Sequence, residues 1–117
     1  MEEELYTLLS GAVSFPVAWG SHSDDTGLPR ASMWMTSGIR DMNTKSLGLM
    51  TSRVQIDCYG VTQLAAITAS RAIRDTLEGY QGGVIQGAFL ESTRDSEAND
   101  AGLVPYRSTT FSITYRD

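Results

Sequence analysis

Residues 52–79, SRVQIDCYGVTQLAAITASRAIRDTLEG, leave the chain few ways to fold. The opening eight residues alternate polar with apolar. Arg53, Gln55 and Asp57 point one way and Val54, Ile56 and Cys58 the other, as a half-buried strand requires. Gly60 breaks the alternation, and the apolar period then lengthens to that of a helix that stops at Gly79. Thr62 is placed to cap its start, and Gly79 to take the left-handed conformation past its end. A strand followed directly by a long amphipathic helix demands a sheet with a helix laid on it.

Other elements follow on both sides. Residues 2–10 predict a short helix with Leu5, Leu8 and Leu9 on one face and Glu2, Glu3 and Glu4 at its positive end, terminated by Gly11. Residues 15–20 suit a brief strand. Residues 31–37 suit a second, with Met33 and Met35 on one face and Trp34 on the other. Residues 21–30 (SHSDDTGLPR) read as a turn-rich loop, and 40–48 as a long connection or protruding hairpin. The opening strand of the central unit spans about 50–59 and its helix about 62–78. Gly82 and Gly83 lead into a strand at 84–91, and 92–105 is a second polar loop. The last strand, 107–116, alternates Phe111, Ile113 and Tyr115 with Thr110, Ser112 and Thr114. The order is α-β-β-β-α-β-β. The expected fold is α+β, one domain over 1–117, a mostly antiparallel sheet with one long helix and a short N-terminal helix packed on it.

The long helix has more on its surface than folding requires. Projected at about 100° per residue, Val61, Ala65, Ala66, Ala69, Ala72, Ile73 and Leu77 fall in one arc of about 160°. Gln63, Arg71, Arg74, Asp75 and Glu78 lie opposite. Leu64 and Ile67 fall among these charges. Scattered exposed apolar residues are normal, yet two of them three residues apart beside Arg71 and Arg74 equally suit a contact between subunits.

Chemistry is hard to find. His22, with Asp24 and Asp25, lacks the further ligands a metal site needs, and the nucleophile a triad needs. Cys58 belongs to the apolar face of its strand, where a cysteine is inert, and as the one cysteine it makes no intrachain disulfide. Gly82 and Gly83 precede a strand, unlike a phosphate-binding loop. No catalytic, cofactor-binding or metal residue is expected. The net charge of −5 disfavours a phosphate-gripping surface, and Asp75 and Glu78 offset Arg71 and Arg74. No apolar run approaches the ~18 residues of a membrane span, and the acidic start MEEELYTLLSG differs from a basic signal peptide, so a soluble chain made in the cytosol is expected. The row Arg53, Gln55 and Asp57, of mixed sign, suits reciprocal contact with another copy better than contact with a polyanion.

Several segments in order, RVQIDCYG, the alanine-rich helix ending AIRDTLEGYQG, the initial EELYTLLSG, the Gly27-Leu28-Pro29 step, and VIQGAFLESTRDSEANDAGLVPYRSTTFSITY, resemble the phage tail-completion family. These are small proteins of head–tail morphogenesis in siphophages, prophages and gene transfer agents. The resemblance spans nearly the whole chain. It departs from the family's pattern after Pro29, where Arg30, Ala31 and Ser32 stand at positions in which bulkier apolar residues are common. This leaves the start and pairing of that strand open.

The resemblance implies a tail terminator, a structural protein of the virion neck made in the host bacterial cytoplasm. Six copies would form a homo-oligomeric ring capping the tail tube, touching the tail tube protein on one side and the head–tail connector or stopper on the other. DNA would pass through without being read, with no membrane or cofactor involved. A ring of head-to-tail contacts needs two unlike patches. Leu64, Ile67, Arg71 and Arg74 are the candidate for one; Arg53, Gln55 and Asp57 are the candidate for the other or for the lumen wall. An acidic lumen would repel phosphates. The alternatives are another neck ring (adaptor or stopper), a tail tube protein, or a small ligand-binding module with a closed apolar pocket.

Overall fold

A computed structural model of the chain describes residues 2–20, 29–40, 49–95 and 105–116. The central unit forms as its periodicity predicts. Strand β3 (Leu49–Tyr59) puts Val54, Ile56 and Cys58 wholly inside. Helix α2 (Gln63–Leu77) follows, capped by Thr62, whose Oγ1 accepts from Ala65 N at 3.1 Å. At its end Glu78 N donates to Arg74 O, and Gly79 takes φ 76°.

The remaining elements are α1 (Glu2–Ala12), β1 (Val17–Trp19), β2 (Arg30–Arg40), β4 (Ile85–Asp95) and β5 (Tyr106–Arg116). Their order, α-β-β-β-α-β-β, is the expected one. The strands form a single sheet in the spatial order β1-β2-β3-β5-β4; only the β1–β2 pair is parallel. Helix α2 packs on β3, β5 and β4, and α1 packs on α2 and β1. The core lies between these helices and the sheet: Leu5 and Leu9 from α1; Ala69, Ile73 and Leu77 from α2; Met33, Val54, Ile56, Ile85, Phe111 and Ile113 from the strands. Trp19 Nε1 donates to Glu2 O, and the Glu4 carboxylate accepts from Val84 N, fastening α1 to both ends of the sheet.

Several boundaries differ from the sequence reading. Helix α1 runs through Gly11 to Ala12, since Val13 N still donates to Leu9 O. Val61 precedes the capping Thr62, so its place on the helical wheel has no meaning, and it is 72% exposed; Ser70 is buried on the core face instead. Strand β2 starts at Arg30 despite its small residues, because the backbone pairs with Tyr59 across the sheet and Ala31 N donates to Pro16 O. It then runs through Arg40, the residue at which a loop was expected to begin. Met33 is buried but Met35 is 42% exposed, next to a register shift between Met35 and Ser37. Strand β4 begins at Ile85 and keeps its ladder through Ser92, Thr93, Arg94 and Asp95, where a loop was expected. Its end is held by Arg107, whose Nε and Nη2 reach the two Asp95 oxygens at 2.7 and 3.1 Å. The rest of the expected loops, residues 21–28, 41–48 and 96–104, lies outside the described residues, and His22, Asp24 and Asp25 with it.

Candidate functional site

Both helices lie on one side of the sheet, which leaves the other side uncovered by any described helix. Alternation on β3 directs Arg53, Gln55 and Asp57 there. The register adds Ser32 and Trp34 from β2 opposite Asp57 and Gln55, and Ser108, Thr110, Ser112 and Thr114 from β5. Phe89, 55% exposed, joins from β4 beside Ser112, and Arg94 beside Ser108. Hydroxyls dominate this face.

The three residues of the β3 row share the face but not an environment. Arg53 is exposed and its Nε donates to Glu91 Oε2 at 2.8 Å, spanning β5 to reach β4. Gln55 is half-buried and its Nε2 donates to both Asp57 oxygens, at 3.1 and 3.3 Å. Asp57 is only 8% exposed. Arg30 lies 5.4 Å from the Tyr59 ring centroid, and Tyr59 packs on Tyr106 at 5.8 Å. Burial, with the Asp57 charge second, raises the Tyr59 hydroxyl above its ordinary pKa. A cavity of about 420 Å³ is lined by Gln55, Ser92, Thr93, Arg94, Ser108 and Thr110. The charges of the face are Arg30, Arg53, Arg94 and Arg116 against Asp57 and Glu91, a small basic excess among the described residues.

On the helical side, Leu64 and Ile67 part company. Leu64 is 69% exposed and lines an open groove of about 500 Å³ with Phe15, Pro29, Ala65, Thr68 and Ala72. Ile67 is half-buried and does not line it. At about 100° per residue the two side chains project some 60° apart, and the groove lies on the flank away from Ile67. Arg71 and Arg74 are exposed, with no ion-pair partner among the described residues.

Among the described residues no group of three His, Cys, Asp or Glu is placed to hold a metal ion, and no helix is long and apolar enough to cross a membrane. Cys58 is fully buried, and burial followed by the Asp57 charge pushes its thiol up to about 12. A thiol so held in the protonated form is a poor nucleophile.

Phe15 and Pro29 of the groove, and Phe89, Arg94 and Ser108 of the open face, escaped sequence reasoning. The groove residues come from separate segments, so no local pattern joins them. The β4 residues were hidden by register shifts between Ile85 and Gly87 and between Leu90 and Ser92, each of which breaks the period of two.

The sequence matches no family model and no curated protein. Its fold does match solved structures. One is a chain of a structure described as the virion of a native gene transfer agent (GTA) particle, with a TM-score of 0.65 at 15% identity, covering 97% of this chain and 84% of that one. At that identity the likeness is one of fold.

Proposed function

We propose that the chain is a structural protein of a phage-like or gene transfer agent virion, and specifically a tail terminator: a ring, hexameric by family resemblance, that caps the tail tube and joins it to the head connector. One observation supports the virion role, the fold shared over 97% of the chain with a component of a virion particle; the terminator assignment comes from the family resemblance of the sequence. The surfaces fit the task. A sheet face made mostly of serines and threonines, with Arg53 paired to Glu91, gives a wall with few unopposed cations on which DNA slides, since affinity for DNA grows with their number. Arg53, Gln55 and Asp57 would belong to that wall. Sparse charge, rather than the acidic excess expected from the total charge, would keep it from gripping phosphates. The exposed Leu64 groove, with Ile67, Arg71 and Arg74 along the same helix, would meet a neighbouring subunit.

A ligand-binding module would close its apolar pocket, whereas the groove beside Leu64 is open. Light scattering and negative-stain imaging of the purified protein test the proposal. Discrete rings are expected. Long filaments would assign a tube protein instead, and a monomer that fails to bind purified tail tubes would refute the reading.

A further inference from the structure

Among the described residues the two edges of the sheet are each half covered, and at opposite ends. On β2, β1 and its flanks take the outward backbone groups at one end only: Ala31 N donates to Pro16 O, and Met33 O accepts from Gly20 N. Counting on through the register shift, the next outward groups are those of Met35, Gly38 and Arg40, and no described backbone partner meets them. On β4 the opposite end is covered. Ile85 bonds to Gly82, Ala88 O accepts from Gly79 N, and Leu90 N donates to the Glu78 carboxylate at 2.6 Å. Past the shift after Leu90, the outward groups of Thr93 and Asp95 meet no backbone partner among the described residues.

We propose that copies of this chain join edge to edge, residues 91–95 of one copy pairing antiparallel with residues 34–40 of the next. The proposal rests on the ring reading above. The directions fit, since β2 and β4 run oppositely in the sheet and meet antiparallel when one copy follows another.

Bringing the two bare halves together requires a slide along the strands of about five residues, or about 16 Å, for each four strands spanning about 19 Å. Wrapped level around an axis, that slide tilts the strands by about 40°, inside the 35–45° range of closed barrels. The sense of tilt is also right. The β3–α2–β4 crossover, in the right-handed form such connections take, places β4 to the right of β3 seen from the helices with β3 pointing up. Each next copy on the right is then raised, and levelling the ring leans the strands to the right as seen from the helical side. Natural sheet twist gives that lean only when this side is the outside. The helices therefore face outward and the serine- and threonine-rich face lines the lumen. Six copies would close about 24 strands into a backbone ring about 48 Å across.

Hydrogen exchange on the assembled and the dilute protein, with particle mass measured in the same samples, tests this. In the assembled form, peptides covering 34–40 and 91–95 should slow at least tenfold while those covering 85–90 stay as they were. Assembly with both stretches still exchanging fast would overturn edge pairing and leave the ring reading standing. Failure to assemble at any concentration would overturn both. Thr93→Pro removes an outward N–H that the internal ladder does not use. The variant should keep its circular dichroism and lose assembly; rings of unchanged mass would refute the proposal.

Discussion

Gly60 sits where β3 ends and the chain turns into α2, and the two elements approach too closely there for any side chain. A Cβ on Gly60 would lie 2.5 Å from the Ala66 backbone nitrogen, 2.8 Å from Ala65 Cβ and 2.9 Å from the Ala65 backbone carbon, all well short of the 3.4 Å at which ordinary contact begins. Two of these three atoms are backbone, so relief requires moving the first turn of α2, not a rotamer. That turn is pinned by the Thr62 cap, and Gly60 N donates to Pro105 O at 3.1 Å. Overpacking costs about 1–3 kcal/mol, and a backbone obstruction belongs at the upper end. Gly60→Ala should therefore lose about 3 kcal/mol, lowering Tm by roughly 10 °C in a domain of this size. Gly11→Ala is the control: Gly11 lies in α1 with nothing within 4 Å of the new Cβ, so the same substitution should stabilise by about 0.5–1 kcal/mol. Thermal and urea melts of both variants decide the matter. A loss at Gly60 below about 1 kcal/mol would refute the close approach of β3 and α2.

Thr62→Ala removes the acceptor for Ala65 N and should cost about 1 kcal/mol in denaturant melts, with Thr62→Ser recovering most of it. Cys58 should resist Ellman's reagent at pH 8 in the folded protein and react at once in denaturant. Its thiol, ordinarily near 9.0, titrates near 12 when folded, so its contribution to stability is intact below pH 9 and is lost as pH rises toward 12; alkaline melts of Cys58→Ala should lack that part of the decline. Leu64→Asp, at an exposed position, should reduce the oligomer seen by light scattering while Tm changes little, and adding Ile67→Asp, at a half-buried one, should reduce it further at some cost in Tm; an oligomer intact in both would remove the helix patch from the subunit contact.

How much of this was legible in the sequence depended on whether the signal was local. The β3 row and the α2 core were readable because alternation and the helical period both run uninterrupted from Arg53 to Leu77, apart from the turn at Gly60. The same alternation failed on β4, where two register shifts within eleven residues moved Phe89 to the open face and made residues 92–95 look like loop. Polar composition misled there as well: an edge strand on an uncovered face is made of residues that otherwise build loops. Leu64 was recognisable as surplus to the core, but its partners Phe15 and Pro29 were not, because the groove exists only once α2 is laid beside the chain entering β1 and β2. The coverage of the edges depends on single backbone bonds, such as Gly79 N to Ala88 O, and leaves no trace in composition.

That half-coverage has a consequence for how a ring would form. Each proposed junction offers only the outward groups of Thr93 and Asp95 against those of Met35, Gly38 and Arg40, so it contributes a few hydrogen bonds at about 1 kcal/mol each. Association of two proteins costs at least about 4 kcal/mol in lost freedom, so edge pairing alone barely holds a dimer. An open row has one junction fewer than it has copies, whereas a closed ring has as many junctions as copies, the last formed at high effective concentration. The balance therefore shifts only on closure. Particle-by-particle mass measurement across a dilution series should find monomers and complete rings with few species between. Stable dimers and trimers at intermediate dilution would mean that a stronger patch, such as the groove beside Leu64, supplies most of the affinity and that the edges serve mainly to set the register.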